Sequence, residues 1–125
     1  MNNKSVIVVI FIFLISLIVF ITFFSVNPNS FGESFVEQIR IADSENTFSS
    51  TNDEKLIQIG KDICTSSNLW KDEQKSLEII YNLLAEYNFK IEADNRIIPI
   101  LRFQSTYELC PENISVLEGL FSNEK

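Results

Sequence analysis

The residues best suited to chemistry in this chain are its two cysteines, Cys64 and Cys110, in a sequence of 125 residues without histidine. A thiol can serve as nucleophile, metal ligand or half of a disulfide, and each role needs different company. A catalytic thiolate wants a base beside it, usually histidine. Zinc wants about four ligands, so two cysteines 46 positions apart would need carboxylates to complete the site. A Cys-x-x-Cys redox pair is absent from the sequence. What remains is a disulfide, with two buried unpaired thiols as the alternative.

The carboxylates Asp53, Glu54, Asp62, Asp72 and Glu73 raise the question of an acid pair or a Ca²⁺ site. They lack the Asp-x-Asp-x-Asp-Gly spacing of a calcium loop. Acids near helix starts are already explained by capping and by the helix dipole. The expectation is therefore no catalytic residue, no metal site and no cofactor. An acid-dependent hydrolase ranks last, since it would require a deep cleft with two convergent carboxylates of raised pKa.

The elements that must position the cysteines begin after an apolar run. Val6 to Val26, "VIVVIFIFLISLIVFITFFSV", contains no charge, no Gly and no Pro. At 1.5 Å per residue a helix of this length spans roughly 30 Å, the thickness of a hydrocarbon core. A cleaved signal peptide would have a shorter apolar stretch and small residues at its exit, whereas "ITFFSVNPNSFGES" offers bulky Phe and Val. The expectation is a retained signal anchor, with secretion as the outcome if it is cleaved. Lys4 lies before the run, and the first basic residue after it is Arg40, behind Glu33 and Glu37. The positive-inside rule then puts residues 1–5 in the cytoplasm and the C-terminal part outside it.

Residues 27–32, "NPNSFG", read as a tether, and residues 33–125 as the exported domain. From Asn27 onward 9 of the chain's 10 Lys and Arg face all 17 Asp and Glu, a net charge of −8. Such a domain repels phosphate backbones, so nucleic acid is not expected as a partner; the lipid bilayer, through the N-terminal helix, is.

Within the exported part the periodicity predicts helices throughout. Glu33 to Asp43 carries Phe35, Val36 and Ile39 on one face, with Ser34 and Glu37 as a capping box. "SENTFSSTN" reads as a loop. A second helix starts at Thr51, with Glu54 completing its capping box, and bears the stripe Leu56, Ile57, Gly60, Ile63, Cys64. Gly60 in a helix interior costs up to roughly 1 kcal/mol against Ala, which suggests a close neighbour. "TSSNLW" ends it, and Trp70 is expected to cover the end of the core. A third helix opens at Asp72 to Gln74 and carries Leu77, Ile80, Tyr81, Leu84 and Tyr87. Phe89 to Ile91 is a loop or a short strand. A fourth helix begins at Pro99, its predicted inward stripe being Ile100, Phe103, Tyr107 and Cys110, and Pro111 stops it. Ile114, Leu117 and Phe121 mark a terminal helical turn. Asn113-Ile114-Ser115 fits the glycosylation triplet.

Each cysteine thus falls on the stripe of its own helix, and if the second and fourth helices pack side by side the sulfurs meet. Export permits the oxidation. The expected fold class is all-α: an N-terminal transmembrane helix, then a small domain of four helices, or five with the terminal segment, stapled by a Cys64–Cys110 disulfide.

The elements Phe35 and Ile39, "GKDIC" at Gly60 to Cys64, and "FQSTYELCP" at Phe103 to Pro111 together resemble the small exported helical proteins of actinobacteria classed as domain of unknown function 732. The resemblance covers about Glu33 to Pro111. Leu109 stands where that family usually shows an aromatic residue, and Thr106 where a small Ala is common. The resemblance implies an all-helical fold with paired cysteines and no established enzymatic activity.

The expected function is a membrane-anchored exported domain without catalytic activity that binds another envelope protein or ligand, or contributes structurally. The alternative is an accessory subunit of a larger membrane enzyme or secretion complex, which should leave a larger exposed apolar patch than an ordinary monomer.

Overall fold

The computed structural model describes residues 3–24 and 31–122, with side-chain surroundings given for 3–17 and 31–122. The chain divides into two compact units, Met1–Ser30 and Phe31–Lys125. The described residues of the first unit form one helix, α1 (Asn3–Phe24). Its 22 residues extend about 33 Å at the α-helical rise. The apolar side chains from Val6 to Ile15, and Leu17, stand exposed along it. Among the described residues no helix is long and apolar enough to cross a membrane. The expected span Val6–Val26 lies outside the described side chains beyond Leu17, and so does most of the tether.

In the second unit Gly32, at φ 80°, turns the chain into α2 (Glu33–Ala42). The predicted capping box at Ser34 is not formed, because a residue in the left-handed region already occupies the cap position and no side chain bonds there. Phe35, Val36 and Ile39 are buried as their spacing predicts.

The loop that follows is more ordered than its polar composition suggests. Asp43 accepts hydrogen bonds from the backbone N–H groups of Thr47, at 2.8 Å, and Phe48, at 2.7 Å. The Arg40 guanidinium donates to the carbonyls of Phe48 and Thr51 and pairs with Asp53. These bonds turn Phe48 into the core, where it is fully buried and meets Phe89 edge-on with ring centroids 4.8 Å apart.

Helix α3 (Asp53–Ser66) is capped by Asn52, which accepts from the Lys55 N–H, and not by Thr51. Leu56, Ile59, Gly60 and Ile63 face inward. A 3₁₀ turn, Ser67–Leu69, leads to Trp70, which is buried and donates from its indole nitrogen to the Ser66 hydroxyl. Helix α4 (Glu73–Glu86) is capped by Asp72 through the Lys75 N–H, matching the expected acidic start. It buries Ile80 and Leu84, with Leu77, Tyr81 and Tyr87 packed at the core margin.

Helix α5 (Ile97–Leu109) begins two residues before Pro99. Asn95 accepts from the Ile97 N–H there, and a proline in the first turn lacks only a donor that has no intrahelical partner. A 3₁₀ turn, Pro111–Asn113, joins it to α6 (Ile114–Ser122), which buries Leu117 and Leu120. The second unit is thus all-α, with five α-helices and no strand among the described residues. The strand weighed at Phe89 to Ile91 does not form; Phe89 N–H instead closes the end of α4 onto the Leu84 carbonyl. Helix α5 is central and packs against α2, α3, α4 and α6.

Candidate docking face on the stapled helix

Cys64 and Cys110 form the disulfide, their α-carbons 6.1 Å apart, inside the roughly 4.4 to 6.8 Å that the bond allows. It ties the last turns of α3 to the end of α5. The bond implies an oxidising, extracytoplasmic environment. Both sulfurs lie against the Ser105 carbonyl, at 3.4 and 3.5 Å. Asn113 reinforces the junction, its side-chain amide donating to the Cys64 carbonyl and to the Ser67 hydroxyl. The amide nitrogen that glycosylation would modify is therefore engaged within the fold.

The face that α5 turns to the core differs from the predicted one. Ile97, Ile98, Leu101, Arg102, Ser105 and Thr106 are buried. Arg102 is only 1% exposed, donates to the Ser76 hydroxyl at 2.6 Å, and has a Glu73 carboxylate oxygen 3.8 Å away. Burial pulls its guanidinium below the usual arginine range, and the charge of Glu73 opposes that pull. Among the described residues Arg102 Nε and the Ser105 hydroxyl have no hydrogen-bond partner.

The predicted inward stripe lies largely on the outside. Tyr107 is 49% and Phe103 38% exposed, Ile100 is half-buried, and only Cys110 is buried. Tyr107 is not a core residue. Three polar residues on the inner face, Arg102, Ser105 and Thr106, make that face read as the solvent side by apolarity alone. A helix with Ile97, Ile98 and Leu101 on one side and Ile100, Phe103 and Tyr107 on the other has two apolar faces, a pattern expected of a helix covered on both sides. That double pattern is the signal that the sequence held.

The outer face is built, not incidental. Phe103 lies parallel to Tyr107, with centroids 6.4 Å apart, and to Phe121 of α6, at 5.8 Å. The Arg102 guanidinium sits beneath, 5.4 Å from the Phe103 ring centre and 5.2 Å from that of Phe121, where ring quadrupoles attract a cation. The three rings form a strip across α5 and α6.

The carboxylates singled out in the sequence are scattered. Asp53 pairs with Arg40, Asp72 caps α4, and Glu73 neighbours Arg102. Asp62 accepts from the Tyr87 hydroxyl and from Gln58, and Glu54 stands exposed in the first turn of α3. The Tyr87 phenol is pushed up to about 12, first by its hydrogen bond to Asp62, then by burial and by the charge of that carboxylate. An open groove of about 610 Å³ beside α4 is lined by Leu77, Tyr81, Gln74, Asn82, Glu78 and Asp94. Its one helical carboxylate, Glu78, is already paired with Lys75 at 3.1 Å. Among the described residues no three Cys, Asp or Glu side chains gather as metal ligands.

Comparison with known protein families, with curated proteins and with solved structures finds no match to this chain.

Proposed function

We propose that this chain is a membrane-anchored exported binding domain that docks a partner protein of the cell envelope through the outer face of α5. The observation that carries the reading is the strip Tyr107, Phe103 and Phe121, large rings held parallel and partly exposed across α6 and α5, the helix whose end the disulfide fixes. Aromatic side chains so presented bury much area at little loss of rotamer freedom, which is why they dominate binding energy at interfaces.

The anchor part of the proposal rests on α1. The apolar side chains exposed on α1 from Val6 to Ile15 and at Leu17 are costly in water, and the uncharged sequence 6–26, rather than the described helix, supplies the length that insertion in a bilayer requires. The disulfide supports placement of residues 33–125 outside the cytoplasm. Resemblance to the exported helical family with no established activity agrees with a non-catalytic role. An accessory subunit of a larger membrane complex would use the same strip, and the identity of the bound protein separates the two readings.

The test places a photoreactive phenylalanine analogue at position 107 and, as a control, at position 86 on the outer side of α4. Irradiation of native membranes should give a discrete protein adduct from position 107 and none from position 86. Adducts from both positions, or from neither, contradict the docking reading. Release of the chain by alkaline carbonate would contradict the anchor.

A further inference from the structure

Between Ile97 and Ser122 the chain carries a single cation, Arg102, and it is buried; the exposed charges are Glu108, Glu112 and Glu118. Glu108 lies one turn beyond Gln104 on the flank of the α5 stripe, and Glu118 lies one turn before Phe121 on α6. The strip is therefore an apolar surface with an acidic rim, and no exposed Lys or Arg in these two helices offsets that charge.

From this we infer that the strip takes an amphipathic helix of another protein whose apolar stripe is flanked by Lys or Arg. The inference rests on the proposed reading of this face as a binding surface and adds the chemistry of the partner. Ile100, Phe103 and Tyr107 recur at i, i+3 and i+7 along α5, the spacing that an apposed helix meets with its own stripe. Basic flanks would pair with Glu108 and Glu118 at the rim, where charge sets specificity and association rate.

The same rim argues against other occupants. A second copy of the chain would bring Glu108 and Glu118 against their equivalents, a like-charge juxtaposition that disfavours pairing. An anionic lipid surface is repelled likewise.

The experiment uses the full chain in detergent-free nanodiscs and three probes. Two are fluorescent designed helices of about five turns with the same Leu and Phe stripe, one flanked by Lys and one by Glu. The third is a phosphatidylglycerol vesicle. The Lys-flanked peptide should bind at least about tenfold more tightly than its Glu-flanked counterpart. That preference should shrink in Glu108→Gln with Glu118→Gln and with added salt. Tyr107→Ser should weaken both peptides, which reads the surface separately from its rim.

If both peptides bind equally and Tyr107→Ser weakens both, the face binds but the basic-partner inference falls. If neither peptide responds to Tyr107→Ser, the docking reading falls with it. Vesicle binding that Tyr107→Ser abolishes, or a concentration-dependent dimer that Glu108→Gln strengthens, would also overturn the inference in favour of lipid or a second copy.

Discussion

Gly60 on α3 lies so close to Leu109 on α5 that a β-carbon there would overlap the leucine δ-methyl and stand 2.8 Å from the Phe35 ring. The approach is what allows α3 and α5 to bring the two cysteines together. Gly119 on α6 is the opposite case: among the described residues nothing outside its own helix backbone lies within 4 Å of the position its β-carbon would take.

The two glycines therefore predict opposite signs for one substitution. Gly119→Ala should stabilise by up to about 1 kcal/mol through helix propensity. Gly60→Ala gains the same term but overpacks against fully buried Phe35, typically at about 1 to 3 kcal/mol, for a net loss on the order of 1 kcal/mol. Urea unfolding midpoints check both, and a stabilised Gly60→Ala would contradict the packing described.

Opening the disulfide should cost far more. A cross-link between positions 46 apart removes about 4 kcal/mol of denatured-state entropy in the chain-entropy model. That is comparable with the whole stability expected of a domain this small. Cys110→Ser, or reduction of the native chain, should unfold or strongly destabilise residues 31–122. Melting curves with and without reductant measure it, and superimposable curves would contradict the structural role.

Arg102 predicts a contrast between two replacements. Arg102→Ala leaves a void beside Ser76 and should cost about 3 kcal/mol or more. Arg102→Met fills similar space and removes an unsatisfied buried nitrogen, while partly exposed Glu73 is free to turn to water. Stability within about 1 kcal/mol of the parent is expected. Equal losses in chemical unfolding would show that the charge itself holds the helices together.

Tyr87 sets a dependence on alkaline pH. Its phenol titrates near 10.0 when unfolded and about 12 when folded, so between those values the folded state holds a proton that the unfolded state releases. The stabilisation is complete below pH 10 and declines as pH rises through about 12. Tyr87→Phe should flatten that part of the stability profile, and an unchanged slope would contradict the Asp62 hydrogen bond.

Much of the helical framework was legible in the residues, and the faces of one helix were not. Asp72 marked the start of α4, Gly60 marked a close approach, and Trp70 marked the end of the core, because each follows from local chemistry. The capping box that Ser34 and Glu37 spell does not form, since the left-handed turn at Gly32 pre-empts Ser34. Phe48 was hidden in a polar loop whose hydrogen bonds to Asp43 and Arg40 exist only once the chain is folded. On α5 the rule that apolar faces point inward failed because Arg102, Ser105 and Thr106 are buried by their neighbours, leaving Phe103 and Tyr107 outside. The docking strip depends on that inversion and on Phe121 from another helix.

The inversion is tested most directly by the stability of Tyr107→Ser, measured by denaturant unfolding of the full chain. A tyrosine on an outward strip should lose about 1 kcal/mol or less. A loss of about 3 kcal/mol or more, the cost of truncating a core aromatic, would place Tyr107 inside the fold and remove the docking face.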